Sequence, residues 1–76
     1  DKEQFTIGRA KDNDLVLSGR TISQHHAVIE QGILKDCESA NGTFLNGERV
    51  EACELKNQDV IRFANVQFRW QKEEAA

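Results

Sequence analysis

The sequence contains no methionine and no apolar run longer than three residues. The longest runs are Leu15-Val16-Leu17 and Ala27-Val28-Ile29, whereas crossing a bilayer takes roughly 18 to 20 apolar residues. We therefore predict no membrane insertion, and no signal peptide is visible. A chain that starts at Asp1 without a methionine is expected to be a piece of a longer protein. Its 76 residues are expected to form one domain, residues 1–76.

Acidic residues outnumber basic ones, and cysteines are few. Ten basic against thirteen acidic residues give a formal charge of -3, so the overall field repels DNA and RNA, and no nucleic-acid partner is expected. Cys37 and Cys53 lack the Cys-x-x-Cys spacing of redox and zinc sites, and two cysteines are too few for a disulfide scaffold. We interpret them as reduced thiols of a cytoplasmic protein, although a bridge between them would depend on their Cα separation in the fold.

What the sequence does have is apolar alternation with a period of two. Val66, Phe68 and Trp70 alternate with Gln67 and Arg69, as in a half-buried strand. Similar short runs occur at 5–8, 15–17, 27–30, 33–35, 43–45 and 60–63. Turn signals separate them at 11–14, 31–32, 41–42, 46–47 and 57–59.

This pattern predicts no helix of three turns or more. The charged tail 71–76 is the one candidate for a single helical turn. The prediction is an all-β fold, a two-sheet antiparallel β-sandwich with its loops gathered at the ends. Binding residues are expected on those loops.

Catalysis is not predicted. Ser23, His26 and Asp36 are the residue types of a catalytic triad, but no Gly-x-Ser-x-Gly elbow surrounds the serine and nothing fixes its distance to the histidine. No phosphate-cradling glycine loop before a helix and no cofactor fingerprint is present. We expect no enzyme activity and no cofactor.

A metal site on the two adjacent histidines is also not predicted. Neighbouring residues of an extended chain point to opposite faces, so His25 and His26 do not readily bind one ion. We expect one imidazole to fix a loop by hydrogen bonding while the other lies in solvent.

A docking site for an anion fits the polar loop residues better. Arg9 follows the first strand, Arg20, Thr21 and Ser23 lie on a second loop, and Asn41 lies on a third. Arginine binds phosphate bidentately, serine donates a further hydrogen bond, and an asparagine amide both donates and accepts. Together these residues indicate a loop cluster that binds phosphate.

The order of the motifs resembles a known family. The motifs are Gly8-Arg9, Asp14-Leu15, Ser23-x-x-His26-Ala27, Asp36-x-x-Ser39-x-Asn41-Gly42-Thr43-x-x-Asn46-Gly47 and Leu55-x-x-x-Asp59-x-Ile61-x-Phe63. Nearly the whole chain is thereby similar to the forkhead-associated (FHA) domain. The resemblance implies a β-sandwich that binds phosphothreonine peptides through loops at one end. Because the chain begins almost at Gly8-Arg9, we expect terminal strands of that fold to be truncated.

The resemblance also implies roles for individual residues. Arg9 and Ser23 would contact the phosphate, and Asn41 would hold the main chain of the peptide. Gly8 and His26 would keep the loops in shape.

Other roles implied by the resemblance concern specificity and turns. Arg20 or Thr21 would lie near the third residue after the phosphothreonine. Gln24 belongs to the same group of phosphopeptide-binding candidates, although the family often has arginine or asparagine there. Gly42 and Asn46 are expected to be structural, Asn46 because Asn46-Gly47 is a turn signal.

Several positions depart from the family pattern. Ala40 stands where a hydroxyl or basic side chain often assists the phosphate, while Gln58 and Ala64 replace glycines of turns. The function implied is phosphothreonine-dependent binding of a partner protein. The alternative is a phosphate-independent scaffold or assembly domain, as in bacterial secretion machinery.

Overall fold

All regular structure in the described part of the chain is β-strand. The computed structural model describes residues 4–71. The strands are β1 (Gln4–Gly8), β2 (Leu15–Val16), β3 (Ala27–Glu30), β4 (Ile33–Asp36), β5 (Thr43–Leu45), β6 (Glu48–Arg49), β7 (Ala52–Glu54), β8 (Val60–Phe63) and β9 (Val66–Arg69). This confirms the all-β prediction. The helical turn considered for 71–76 lies outside the described residues, apart from residue 71.

The strands form two sheets. The first sheet has the order β2-β1-β3-β4-β7 and the second β6-β5-β8-β9. Every pairing is antiparallel except that of β1 with β2, which is parallel, with Ile7 opposite Leu15 and Gly8 opposite Val16. The predicted antiparallel sandwich is therefore correct apart from this one edge pair.

Two strands, β6 and β7, were not predicted. Strand β6 has only two residues, Glu48 and Arg49, both exposed. Strand β7 reads Ala52-Cys53-Glu54, with only the cysteine partly buried. Both strands lie at sheet edges, where little apolar surface is covered and the alternation is correspondingly weak.

The core lies between the sheets. Ile7 of β1 and Leu34 of β4 are almost completely buried from the first sheet, as are Ile61 and Phe63 of β8 from the second. Because side chains alternate across each strand, Ile33 and Arg62, which adjoin these residues, are less buried. The remaining buried apolar residues are Ile22, Ala27, Ile29, Leu45, Leu55 and Ala64.

Backbone hydrogen bonds draw several loops together at one end of the sandwich. Arg9, just after β1, donates its N–H to the carbonyl of Ser23 at 2.9 Å, and Ala10 donates to that of Gln24 at 3.1 Å. Gly42, just before β5, accepts the N–H of Ala64 from the β8–β9 turn at 3.0 Å. Cys37, at the start of the β4–β5 loop, donates its N–H to the carbonyl of His26 at 2.9 Å. The three loops that carry the predicted binding residues are thus neighbours.

Candidate functional site

A glycine allows the first two loops to approach each other closely. A Cβ on Gly8 would lie 2.2 Å from the carbonyl oxygen of Gln24, far inside any allowed contact. Asn13 joins the same contact, since its buried side chain donates to Gln24 O at 2.8 Å and to Ala10 O at 2.9 Å. The β1–β2 loop is thereby fastened to the β2–β3 loop.

Arg9 is anchored by one nitrogen of its guanidinium. Its Nε donates to the carbonyl oxygen of Ile22 at 3.1 Å, and this is the one hydrogen bond that its side chain makes to residues 4–71. The residue is otherwise exposed. Both terminal NH₂ groups are therefore available to an anion, in the fork geometry that suits phosphate.

Ser23 has an unused donor next to Arg9. Its Oγ accepts the N–H of Ala40 from the β4–β5 loop at 3.0 Å. Because accepting this bond does not use the hydroxyl hydrogen, that hydrogen can be donated to a ligand. Ala40 brings no side-chain donor of its own, but its main chain orients the Ser23 hydroxyl.

His26 joins the β2–β3 and β4–β5 loops from a fully buried position. Its Nδ1 accepts the N–H of Ser23 at 3.1 Å, and its Nε2 faces the carbonyl oxygen of Gly42 at 2.9 Å. A main-chain N–H can only donate, so Nδ1 must be the acceptor and Nε2 must carry the proton. Phe63 packs edge-on against the ring, with centroids 5.8 Å apart. His25, by contrast, is exposed.

Asn41 projects from the β4–β5 loop with part of its amide in use. Its Nδ2 donates to the carbonyl oxygen of Thr21 at 2.8 Å. The side-chain oxygen and the second N–H remain, which is the pair of groups needed to hold a peptide main chain. Asn41 is exposed, so a ligand can reach these groups.

A carboxylate shapes the loop that presents Asn41. Asp36 accepts hydrogen bonds from Ser39 Oγ at 2.6 Å, Ser39 N at 3.1 Å and Thr43 Oγ1 at 2.7 Å. Ser39 Oγ in turn accepts the N–H of Gly42 at 3.0 Å. Burial alone would raise the pKa of Asp36, but the hydrogen bonds from Ser39 and Thr43 outweigh it and hold the pKa below its usual value.

Gly42 is required by both its conformation and its surroundings. Its φ is 91°, in the region that favours glycine. A Cβ there would lie 3.0 Å from the Phe44 ring and 3.0 Å from Arg49 Nε. This close packing places Gly42 beneath the guanidinium of Arg49.

The remaining predicted residues lie around this centre. Thr21 donates its hydroxyl to Asn65 Oδ1 at 2.7 Å. Arg20 and Gln24 are exposed, and among residues 4–71 neither side chain makes a hydrogen bond or ion pair. Asn46 is remote from the loop cluster and holds its own turn, since it donates to Asp59 at 3.0 Å and accepts from Val60 N at 3.0 Å.

Sequence reasoning missed Asn13, Asn65 and the bracing role of Asp36. The sequence predicts only a turn at Asn13 and no role for Asn65. Asp36 and Ser39 both belong to the motif that begins at Asp36. An aspartate followed three residues later by a serine is the sequence signal for a loop held by side-chain hydrogen bonds. Nothing in the local sequence marks Asn65, whose partner is 44 residues away.

Within residues 4–71 the structure does not bring together a catalytic triad or a metal site. The Ser23 hydroxyl is bonded to Ala40 and not to the His26 ring, whose nitrogens face Ser23 N and Gly42 O. Within residues 4–71 no group of three or more His, Cys, Asp or Glu side chains is placed to hold a metal ion. Over the same range, no helix has the length and apolarity needed to cross a membrane.

Both cysteines are free thiols. Burial raises the pKa of the Cys37 thiol above its usual value, and the neighbouring Asp36 carboxylate raises it further. A thiol of this kind is a weaker nucleophile than an ordinary one at neutral pH.

Most of the chain matches one family model. That model describes the FHA domain and covers residues 5–64. The chain belongs to the FHA family. The family fold, a two-sheet β-sandwich, is thereby confirmed for this FHA domain.

Two relatives of this FHA domain come from mycobacteria. It is 42% identical over 64 residues to the ABC transporter ATP-binding/permease protein Rv1747 of Mycobacterium tuberculosis (strain ATCC 25618 / H37Rv), over 79% of this chain and 7% of that protein. It is 40% identical over 70 residues to the transcriptional regulatory protein EmbR of Mycobacterium bovis, over 86% of this chain and 18% of that protein. The chain therefore spans only a small part of these relatives.

A solved structure extends the likeness to three dimensions. Mycobacterium tuberculosis EmbR in complex with a low-affinity phosphopeptide superposes with a TM-score of 0.90 at 34% sequence identity. The superposition covers 97% of this chain and 21% of that one.

Proposed function

We propose that this FHA domain binds phosphothreonine-containing segments of a partner protein, and so mediates phosphorylation-dependent association. The observation that carries the proposal is the backbone hydrogen bond that holds Arg9 next to Ser23. The Arg9 N–H binds the Ser23 carbonyl at 2.9 Å, and each side chain keeps unused donors on the exposed end of the sandwich. A phosphate offers three acceptor oxygens to such a pair.

Asn41 supplies the second element of recognition. Held by Thr21 through one N–H, it retains a donor and an acceptor for the main chain beside the phosphothreonine. A hydrogen bond to a charged group contributes about 1.5 to 3 kcal/mol, so Arg9, Ser23 and Asn41 together suit a weak, reversible contact. Arg20, Thr21 and Gln24 border this site and are the proposed specificity residues.

The same observations support a binding module without enzyme activity. The Ser23 hydroxyl is not activated by the His26 imidazole, because that ring uses both nitrogens elsewhere. We assign the domain to the cytoplasm, where the two free thiols would persist. The EmbR structure that holds a phosphopeptide supports the assignment of ligand class.

A titration with three matched peptides tests the proposal. Phosphothreonine, phosphoserine and unphosphorylated threonine are placed in one sequence and binding is measured by calorimetry. The phosphothreonine peptide should bind best, and affinity should fall between pH 7 and about pH 5.5 as the phosphate, with a second pKa near 6, gains a proton.

Two variants assign the contacts. Arg9→Ala and Ser23→Ala should each lose most of the affinity while the melting temperature changes little. Equal binding of the phosphorylated and unphosphorylated peptides would contradict the proposal and favour the phosphate-independent scaffold.

A further inference from the structure

Two asparagines of the chain, Asn41 and Asn46, are each followed directly by a glycine. In this dipeptide the next main-chain nitrogen can attack the side-chain amide, because glycine has no side chain to hinder the approach. Asparagine is accordingly among the chemically labile residues. Asn41 belongs to the proposed peptide site, whereas Asn46 holds a turn remote from it. The same reaction therefore has different consequences at the two positions.

Deamidation of Asn41 proceeds in two steps. The Gly42 nitrogen bonds to the side-chain carbonyl carbon of Asn41, and the bond from that carbon to the side-chain nitrogen breaks. The hydrogen lost from Gly42 N ends on the leaving nitrogen, so ammonia departs and a succinimide ring remains. Water then opens the ring at either carbonyl, which gives aspartate, or isoaspartate with the main chain running through the former side chain.

The structure holds the attacking nitrogen in place. Gly42 is buried, and its N–H donates to Ser39 Oγ at 3.0 Å, while the Ser39 hydroxyl donates to Asp36 Oδ1 at 2.6 Å. Burial alone would raise the pKa of Asp36, but its hydrogen bonds from Ser39 and Thr43 hold the pKa below the usual value. This carboxylate is therefore a weak base, and the Ser39–Asp36 pair retains the Gly42 hydrogen instead of removing it. Attack on Asn41 must break the bond to Ser39.

The amide under attack is held as well. Asn41 Nδ2, the nitrogen that would leave, donates to the carbonyl oxygen of Thr21 at 2.8 Å. Because Thr21 lies on another loop, this bond directs the amide away from the main chain of its own loop. Ring closure turns the amide back toward Gly42 N and breaks the bond to Thr21. Folding thus restrains both reacting groups.

The product does not fit the site. A carboxylate has no hydrogen to donate, so aspartate at this position loses both the bond to Thr21 O and the donor for the main chain of the ligand. It also adds negative charge to a site for a phosphorylated ligand. Isoaspartate lengthens the main chain next to Gly42, where a Cβ would already lie 3.0 Å from the Phe44 ring.

We propose that Asn41 is a latent site of spontaneous deamidation at which the domain loses phosphopeptide binding, and that the hydrogen bonds from Gly42 to Ser39 and from Asn41 to Thr21 delay the reaction. The loss of binding rests on the proposed function, whereas the rate of the reaction does not. A phosphopeptide that binds the Asn41 amide delays the reaction further, so the free domain is modified faster than the occupied one.

The first test follows deamidation of the folded domain in mildly alkaline buffer by mass spectrometry, with fragment ions that separate Asn41 from Asn46. Ser39→Ala should react at Asn41 roughly two- to tenfold faster than the parent, the factor that one hydrogen bond of ordinary strength contributes. Asn46 is the internal reference. Its rate should not change, because its bonds to Asp59 and Val60 remain.

Thr43→Val is the matched control. It also removes a hydrogen bond to Asp36, but it keeps the bond between Ser39 and Gly42. Its rate at Asn41 should stay within about twofold of the parent. A melting curve of each variant in the same buffer checks that the rates refer to folded chains.

The second test measures binding by calorimetry with a phosphothreonine peptide. Incubated parent protein should lose binding-competent molecules in proportion to the fraction modified at Asn41, and modification at Asn46 alone should have no effect. Asn41→Asp, which reproduces one product, should bind at least roughly tenfold more weakly. Saturating phosphothreonine peptide should slow the reaction at Asn41 but not at Asn46.

Each outcome decides a separate part of the inference. Equal rates at Asn41 in Ser39→Ala and Thr43→Val, or a slower reaction in Ser39→Ala, overturn the restraint by Ser39. Full affinity of protein that is modified at Asn41 overturns the loss of binding. A fresh domain that does not bind the phosphothreonine peptide overturns the proposed function, and the rates in the Ser39 and Thr43 variants then still decide whether the fold delays deamidation.

Discussion

The hydroxyl of Thr21 donates to the side-chain oxygen of Asn65 at 2.7 Å, joining a loop of the first sheet to the hairpin turn of the second. The carbonyl of Thr21 also accepts from Asn41 at 2.8 Å. Thr21 is therefore the junction of three loops. Its position, and that of the Asn41 amide, depend on a residue that has no expected contact with the phosphate.

Asn65→Ala should weaken phosphopeptide binding by roughly two- to tenfold, because one hydrogen bond of about 0.5 to 1.5 kcal/mol that positions Thr21 is lost. Calorimetry with the phosphothreonine peptide measures the effect. Since the two side chains act together, Thr21→Val/Asn65→Ala should bind no worse than Thr21→Val alone. Gln67→Ala, an exposed change on the adjoining strand, is the control; additive losses in the double variant would show that Asn65 acts independently of Thr21.

The adjacent histidines give a second prediction. His26→Ala should lower the free energy of unfolding by about 2 to 4 kcal/mol, because it leaves a cavity and removes the acceptor of Ser23 N–H. Gly42 O would keep the N–H of Ala64. His25→Ala, whose side chain is 62% exposed, should change stability by less than about 0.5 kcal/mol.

Urea denaturation of both histidine variants distinguishes them. A chelator should have no effect on either variant or on the parent. If His25→Ala proved as destabilising as His26→Ala, the assignment of the buried bridge to His26 would be wrong.

The strands were predictable wherever burial on one face imposes alternation. In β8 the buried Ile61 and Phe63 alternate with the half-buried Val60 and Arg62. Strand β6 was not predictable because two exposed residues show no apolar alternation. Its pairing with β5 follows from the Asn46-Gly47 turn. The parallel edge pair of β1 with β2 is invisible to periodicity, which reports the face of a residue but not the direction of its neighbour.

Only some residues of the candidate site were predictable from the sequence. Arg9, Ser23 and Asn41 came from residue chemistry, and the resemblance to FHA domains added their roles. Asn65 was missed because a contact between residues 44 positions apart depends on how the two sheets pack. The buried Asn13 was missed because the same asparagine in a solvent-exposed turn would have an identical local sequence.

Asp36 should make stability depend on pH. The folded state holds the Asp36 pKa below its usual value, so its contribution is present above the unfolded-state pKa, about 4. It is lost as pH falls through the folded-state pKa. Asp36→Asn cannot ionise and should be about 1 to 2 kcal/mol less stable than the parent at pH 7.

Below about pH 4 this difference should shrink, because the parent then carries a protonated Asp36. Denaturation at a series of pH values measures it. Asp12→Asn changes a carboxylate that is 74% exposed and should differ from the parent by a small, nearly constant amount. Parallel profiles for Asp36→Asn and the parent would show that the hydrogen bonds to Asp36 do not stabilise its charged form.

Replacing three residues of positive φ by glycine should change the stability of the domain in different ways. Gln58 has a φ of 77° and is exposed, and its Oε1 accepts a long, solvent-exposed hydrogen bond of 3.3 Å from Arg69 Nη1. A non-glycine residue in the left-handed region costs about 1 to 2 kcal/mol, and glycine costs about 0.5 to 1 kcal/mol through the unfolded chain. Gln58→Gly should thus stabilise the domain by about 0.5 to 1 kcal/mol, or raise the melting temperature by roughly 2 to 8 °C.

The other two positions serve as internal comparisons. Ala64, with a φ of 55°, is buried, and losing its methyl costs about 0.8 kcal/mol; Ala64→Gly should therefore be nearly neutral. Asn46, with a φ of 51°, uses its side chain to bind Asp59 and Val60, so Asn46→Gly should lower the melting temperature. If all three variants gained stability, relief of backbone strain would outweigh every side-chain contact at these turns; if Gln58→Gly lost stability, its backbone would not be strained.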